Sequence, residues 1–101
     1  FIYHSSCKFC IKYAEILKDF KQRYSVEIKG ISTDGKFISG WENDSYVNNK
    51  ELEKLGIDYS VTPYTILFDL ERQVVVPVGY GLMTQDVLME QIYKITQEEV
   101  N

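Results

Sequence analysis

Two cysteines three residues apart are the residues of this chain whose type and spacing could do chemistry. Cys7 and Cys10 are its whole cysteine complement, and they lie where a short apolar segment passes into a long amphipathic one. Backbone N–H groups at a helix N-terminus carry partial positive charge, so they stabilise a thiolate on the first cysteine. The second cysteine lies one turn further into the helix, where it can attack a mixed disulfide and release the partner. The spacing therefore predicts a redox-active dithiol, with Cys7 as nucleophile and Cys10 as resolving residue.

Three other interpretations compete with this one. A permanent structural disulfide between residues this close would constrain the unfolded chain very little. A zinc or copper site, as in a metallochaperone, could use His4 together with the two cysteines, but a closed zinc site needs four ligands and the chain has no second Cys/His pair. The two cysteines could also be buried by coincidence. We favour the redox interpretation, with no metal and no cofactor, because the spacing and the strand-to-helix context agree.

Length, composition and charge restrict the class of protein. With 101 residues, of which 45 % are hydrophobic, we expect one domain over residues 1–101 with its own core. No apolar run approaches the roughly 20 residues of a membrane helix, so we expect no direct membrane insertion. The net charge of −4, without interleaved basic and aromatic residues, excludes nucleic acid as the expected partner. Because the chain begins at Phe1 and immediately resembles a strand, we expect the N-terminal part of the parent protein to be missing.

Basic residues concentrate around the dithiol. Residues 1–30 are net basic, whereas the rest of the chain is net acidic. A positive charge near Cys7 favours the thiolate, so we predict that Lys8 tunes its pKa, and that a protonated His4 does the same. As the last residue of a strand, His4 could equally be a hydrogen-bonded bystander. The remaining lysines of this region are typical of a solvated helix face.

The elements that must position the dithiol follow from hydrophobic periodicity. Residues 1–4 are typical of the end of a buried central strand, and residues 7–24 repeat apolar side chains every three or four positions, as an amphipathic helix does. Residues 26–32 predict a second strand, parallel to the first because a helix lies between them. Residues 36–49 predict a surface excursion with a short helical turn, in which Trp41 caps the edge of the core, with contact to substrate as the alternative. The inward stripe of the helix is Cys10, Tyr13, Ala14, Leu17, Phe20 and Tyr24.

The second half of the chain predicts a short helix, a hairpin and a final helix. The short helix spans residues 50–55, and residues 64–69 and 73–81 form the hairpin, with Pro77 marking its second strand as an edge strand. Thr84 caps the last helix. The inward stripe of that helix is Val87, Leu88, Gln91, Ile92 and Ile95. The order β-α-β-α-β-β-α predicts an α/β fold with one mixed β-sheet flanked by helices.

This order, with Cys-x-x-Cys at the first helix and Val-Thr-Pro at residues 61–63, resembles the thioredoxin fold. In that superfamily the Thr-Pro peptide is cis and lies beside the dithiol, and the preceding backbone pairs with an extended substrate. The resemblance implies that Thr62 and Pro63 contact substrate, whereas an ordinary trans proline opening an edge strand is the alternative. Phe9, between the cysteines, and Tyr64, after the proline, would then form an apolar lip for protein substrates.

A narrower resemblance rests on three stretches: SCKFC at residues 6–10, STDG at 32–35 and PVGYGLMT at 77–84. Together they resemble the TraF and TrbB family of bacterial conjugal-transfer proteins, which are thioredoxin-like proteins of F-type pilus assembly, a type IV secretion machinery. The resemblance implies the periplasm, and disulfide formation or isomerisation on cysteine-containing transfer and secretion proteins. A separate redox partner protein would reset the dithiol.

The dithiol motif also departs from the pattern of cytosolic thioredoxins. Their Trp-Cys-Gly-Pro-Cys is replaced here by a motif with Lys8 and Phe9 between the cysteines. Some TraF members lack the cysteines and serve a structural role. A non-catalytic scaffold or peptide-binding module of the secretion system is therefore the alternative function, and the direction of electron flow stays open.

Overall fold

The computed structural model describes residues 1–48 and 50–100, and it has the α/β architecture that the sequence predicts, with five strands in one mixed sheet. The elements in chain order are β1 (Ile2–Tyr3), α1 (Lys8–Tyr24), β2 (Gly30–Ser32), a 3₁₀ turn (Glu42–Asp44), β3 (Ser45–Val47), α2 (Glu51–Lys54), β4 (Tyr64–Asp69), β5 (Val74–Tyr80) and α3 (Gln85–Val100). The second strand is shorter than predicted and begins at Gly30.

The strand that leads into the dithiol lies in the middle of the sheet. The strand order is β3-β2-β1-β4-β5, in which β1 pairs in parallel with β2 and antiparallel with β4. Ile2 and Tyr3 are fully buried, as expected for a central strand covered on both faces. The hairpin strand β5 forms one edge, which confirms the prediction from Pro77, since an edge strand tolerates a residue without an N–H.

The strand β3 is the element that the sequence prediction missed. Within the predicted surface excursion, Ser45–Val47 pairs in parallel with β2, and Glu42–Asp44 forms the expected short helical turn. Trp41 is also more deeply placed than predicted, because it is only 3 % exposed and its indole N–H donates to the Ala14 carbonyl at 3.2 Å. It is a core residue rather than a cap on the core edge.

The inward face of α1 fixes the helix over the sheet. Cys10, Tyr13, Ala14, Leu17 and Phe20 are all buried, which confirms five of the six predicted positions. Tyr24 is 42 % exposed and packs its ring on Phe20, so it lies outside the core. The start of the helix is therefore anchored by buried side chains within its first turns, and the position of Cys7 follows from the core.

The chain that precedes β4 is held by the loop that follows β5. The Thr62-Pro63 peptide is cis, as the resemblance implied. Pro63 is fully buried, and its carbonyl accepts a hydrogen bond from the Gly81 N–H at 2.7 Å. This contact joins two loops at the same end of the sheet as the start of α1.

The last helix begins where the sequence predicts. The Thr84 hydroxyl accepts a hydrogen bond from the Val87 N–H at 3.3 Å, which confirms the N-cap. Leu88 is buried, whereas Val87 is 42 % exposed and does not belong to the inward stripe. Within residues 1–48 and 50–100, none of the helices combines the length and the apolar character needed to cross a membrane.

Candidate functional site

Cys7 occupies the N-cap position of α1, with an extended backbone (φ −76°, ψ 116°). Its Sγ accepts a hydrogen bond from the Cys10 N–H at 3.2 Å, and its carbonyl accepts one from the Ile11 N–H at 3.0 Å. The Cys7 N–H donates to the His4 carbonyl at 3.1 Å and closes the turn between β1 and α1. The sulfur therefore faces the amides at the positive end of the helix dipole.

The two thiols have pKa values displaced in opposite directions. Partial burial raises the pKa of Cys7, but hydrogen bonds to its sulfur outweigh this effect, so that the pKa lies below its usual value. These bonds come from the Cys10 thiol and amide, the Thr62 side chain and the Phe9 amide. Burial, and then the hydrogen bond with Cys7, raises the pKa of Cys10 to about 11. Both are free thiols, of which Cys7 is partly exposed and Cys10 is fully buried. The arrangement favours one accessible nucleophile with a protonated thiol behind it.

The Thr62-Pro63 segment lies against the Cys7 sulfur. The Cys7 thiol donates to the Thr62 carbonyl, with 3.7 Å between Sγ and O, across 55 residues of sequence. Val61, the preceding residue, is 54 % exposed. The fold thus brings the two cysteines together with Thr62 and Pro63, whose contact with substrate stays a prediction.

His4 and Lys8, the predicted thiolate-tuning residues, differ in their surroundings. The His4 Nδ1 lies 3.2 Å from the Ser6 N–H nitrogen, 2.8 Å from the Ser6 hydroxyl and 3.8 Å from an Asp34 carboxylate oxygen. Lys8 is the exposed first residue of α1, next to Cys7 in the chain. The described contacts of the His4 imidazole go to Ser6 and Asp34, so its effect on the thiolate stays a prediction.

The two residues of the predicted apolar lip differ in exposure. Phe9 is 66 % exposed beside Cys7 and can meet a partner. Tyr64 is only 5 % exposed, because it is the first residue of β4, stacks on Tyr80 with ring centroids 4.0 Å apart, and packs with Ile2. Its predicted place in the lip is wrong. Val61 is the exposed apolar side chain on that side of the dithiol.

Asp34 is a residue of this region that sequence reasoning did not single out. Its Oδ1 accepts hydrogen bonds from the Ser5 N–H at 3.2 Å and the Ser32 hydroxyl at 3.0 Å, and its Oδ2 accepts one from the Ser5 hydroxyl. Burial raises the pKa of Asp34, but these bonds and one from the Lys36 amide outweigh it and hold the pKa at about 2. The STDG stretch at residues 32–35 was the signal that could have found it.

Within the described part of the chain, no cluster of metal-binding side chains surrounds the dithiol. Over residues 1–48 and 50–100, no three His, Cys, Asp or Glu side chains stand close enough together to hold a metal ion. What the described site offers is sulfur chemistry, with a nucleophilic thiol, a resolving thiol and a backbone carbonyl beside them.

Comparisons with known proteins give one family and one distant relative. The family model described as "TraF: F plasmid transfer operon protein" matches residues 1–93. The chain is 27 % identical over 85 residues to Protein TraF of Escherichia coli strain K12, an alignment that covers 84 % of this chain and 33 % of that protein. The chain therefore spans about a third of the length of this relative. No solved structure matches the chain significantly.

Proposed function

Because the chain belongs to the TraF family of F plasmid transfer operon proteins, we propose that it is a thiol-disulfide oxidoreductase that acts through Cys7 and Cys10. The observation that carries this proposal is the placement of Cys7 at the N-cap of α1, where its Sγ accepts a hydrogen bond from the Cys10 N–H at 3.2 Å while the Cys10 thiol is buried behind it. Its substrates are cysteine-containing transfer and secretion proteins in the bacterial periplasm. Its task there is disulfide formation or isomerisation linked to conjugative pilus assembly, with a second redox protein resetting the dithiol.

The proposal includes the thioredoxin fold. Three features support it: a parallel pairing of β1 with β2, a dithiol at the N-terminus of the helix between them, and a cis Thr62-Pro63 peptide before β4. The contact between the Cys7 sulfur and the Thr62 carbonyl brings the dithiol and the cis peptide together.

In the reductive direction the reaction begins with the Cys7 thiolate. It attacks one sulfur of a partner disulfide, so that a bond forms between Cys7 Sγ and that sulfur while the partner S–S bond breaks. The second partner sulfur leaves as a thiolate and takes up a proton. The first-turn amides lower the pKa of Cys7 and so raise the fraction of thiolate at a given pH.

Cys10 completes the exchange. Once it has lost its proton, it attacks Cys7 Sγ, forms the Cys7–Cys10 disulfide and expels the remaining partner sulfur as a thiolate. The partner disulfide has then gained two electrons and the protein dithiol has lost two. In the oxidative direction every step runs in reverse, and isomerisation results when the partner's own thiol resolves the mixed disulfide.

The Thr62 carbonyl can accept a hydrogen bond from the backbone of a partner protein. In the resting dithiol it accepts a hydrogen bond from the Cys7 thiol. That donor is lost when the thiolate forms, and a backbone N–H of an extended partner can replace it, as in β-strand addition. Phe9, next to Cys10 in the chain, and Val61, next to Thr62, expose apolar surface and would contact the residues that flank the partner cysteine.

Two cysteine variants test the proposal. We expect Cys7→Ser to abolish turnover of a disulfide-containing protein substrate, since no nucleophile remains. We expect Cys10→Ser to accumulate mixed disulfides, visible as covalent adducts on non-reducing gels and released by reductant. Leu70→Ser is a matched control, because it alters an exposed side chain in the β4–β5 turn.

The equilibrium with glutathione buffers gives the direction of electron flow. An oxidising potential favours disulfide formation or isomerisation, and a low potential favours reduction. If neither thiol exchanges with glutathione and Cys7→Ser retains full activity in pilus assembly, the protein is a scaffold and the proposal is wrong.

A further inference from the structure

We propose that Asp34 is a positioning residue for the dithiol: its carboxylate holds the turn between β1 and α1 in the conformation that seats Cys7 at the start of the helix. This inference rests on the proposed role of Cys7 as the nucleophile. Asp34 follows β2, whereas the turn that it holds follows β1, so the contact joins the ends of two neighbouring parallel strands.

The carboxylate is committed to internal hydrogen bonds. Oδ1 accepts from the Ser5 N–H at 3.2 Å and from the Ser32 hydroxyl at 3.0 Å, and Oδ2 accepts from the Ser5 hydroxyl. The Ser32 hydroxyl also lies 2.7 Å from the Lys36 carbonyl, which closes the turn after β2 around the carboxylate. The side chain of Asp34 is 19 % exposed, so water competes little for these bonds.

The effect reaches Cys7 through two residues of backbone. The N–H and the hydroxyl of Ser5 both donate to Asp34, and the Cys7 N–H closes the same turn on the His4 carbonyl at 3.1 Å. Since the Sγ hydrogen bond to the Cys10 N–H depends on where this turn delivers Cys7, a loosened turn weakens the stabilisation of the thiolate.

The charge of Asp34 alone would act in the opposite direction. A carboxylate near a thiolate disfavours the thiolate, so removal of the charge by itself would make Cys7 more reactive. Among the described contacts, the titratable group that faces this carboxylate is His4, at 3.8 Å, and the donors from Ser5, Ser32 and Lys36 are uncharged. Positioning and charge thus predict changes of opposite sign.

The experiment compares Asp34→Ala with Asp34→Asn. The readout is the pH profile of Cys7 alkylation by iodoacetamide in the reduced protein, located by peptide mass mapping. Alanine removes both the charge and the acceptors, and we expect alkylation near neutral pH to slow about fivefold, with a raised apparent pKa. Asparagine removes the charge but retains an acceptor for the Ser5 N–H, and its amide group can donate to the Ser5 hydroxyl. We expect that variant to keep the alkylation rate of the original protein.

Asp69 offers a matched control. It also accepts backbone hydrogen bonds within a turn, from the Glu71 and Arg72 amides, but it lies at the far end of β4 from Pro63. Asp69→Ala and Asp69→Asn remove the same charge and should leave the Cys7 profile unchanged.

Equal acceleration in both Asp34 variants would mean that Asp34 acts by charge, and no change in either would mean that it has no role. Both results overturn the inference. If Asp34→Ala does not fold by circular dichroism, Ser5→Ala decides: alkylation slowed about twofold supports positioning, and an unchanged rate contradicts it. An ordinary cysteine profile in the unaltered protein would instead contradict the proposed function.

Discussion

Two groups of residues near Cys7, called here the polar flank and the apolar flank, differ in what their side chains contact. On the polar flank, which consists of His4, Ser5 and Asp34, the side chains are held by one another. On the apolar flank, which consists of Phe9 and Val61, the side chains are 66 % and 54 % exposed.

The difference separates two tasks that a thiol-exchange site must perform. Hydrogen bonds satisfied within the protein fix the position of the nucleophile, and exposed apolar surface next to it gains stability when a partner covers it. We therefore expect changes at Ser5 and Asp34 to alter the reactivity of Cys7 itself, and changes at Phe9 and Val61 to alter binding of a partner.

Changes on the apolar flank should have the largest effect, which is on the rate of thiol-disulfide exchange with a protein substrate. We expect Phe9→Ser and Val61→Ser each to slow exchange with a protein substrate about tenfold, because apolar burial on binding is lost. Alkylation of Cys7 by a small reagent should not change. Leu70→Ser, which alters a side chain that is 77 % exposed in the β4–β5 turn, serves as the control. A parallel loss in the alkylation rate would show that this flank also positions the sulfur.

The polar flank should contribute to stability in a pH-dependent way. The pKa of Asp34 in the folded protein is about 2, below its usual range, so the unfolded chain binds more protons as the pH falls. The contribution is complete above about pH 4 and is lost as the pH falls towards 2, and we expect it to be about 1 kcal/mol. Urea unfolding from pH 7 to pH 2 measures it as the difference between the original protein and Asp34→Asn. Parallel curves for the two proteins would refute it.

His4 tests whether the polar flank acts directly on the thiolate. Its imidazole contacts Ser6 and lies 3.8 Å from Asp34, so we expect His4→Asn to change the alkylation rate of Cys7 less than about twofold. Measurement over the full pH range is required, since the histidine charge varies with pH. A tenfold loss confined to low pH would show that a protonated His4 stabilises the thiolate, and the flank would then be more than a structural support.

The smallest effect concerns stability on the apolar flank. Because Phe9 and Val61 are more than half exposed, we expect Phe9→Ser and Val61→Ser to change the free energy of unfolding by less than about 0.5 kcal/mol. Chemical denaturation of the reduced protein measures this change. A loss above about 1 kcal/mol would show that these side chains pack within the protein, and the distinction between the flanks would fail.

Several features of the fold could be predicted from the sequence because they depend on residues close together in the chain. The stripe of α1, the N-cap at Thr84 and the edge position of Pro77 follow from periodicity and from residue chemistry. The strand β3 could not be predicted, since its three residues are too short for a period and become a strand by pairing with β2.

In the site too, some features follow from residues close together in the chain and others depend on tertiary packing. Two thiols at a helix start, with the first as the candidate nucleophile, follow from the spacing of Cys7 and Cys10. The burial of Tyr64 depends on which face of β4 meets the core, and its stacking on Tyr80 depends on the hairpin register. Sequence reasoning placed it in the lip because it took neighbours in the chain as neighbours at the surface.

The sequence by itself determined the dithiol, the helix that bears it and the class of fold, because these depend on residues within a few turns of one another. Only the tertiary structure decided which groups surround the sulfur. The contact of Asp34 with Ser5 spans 29 residues and that of Thr62 with Cys7 spans 55. Both depend on the order in which the strands meet in the sheet, and that order is set by the burial of the whole core rather than by any local pattern.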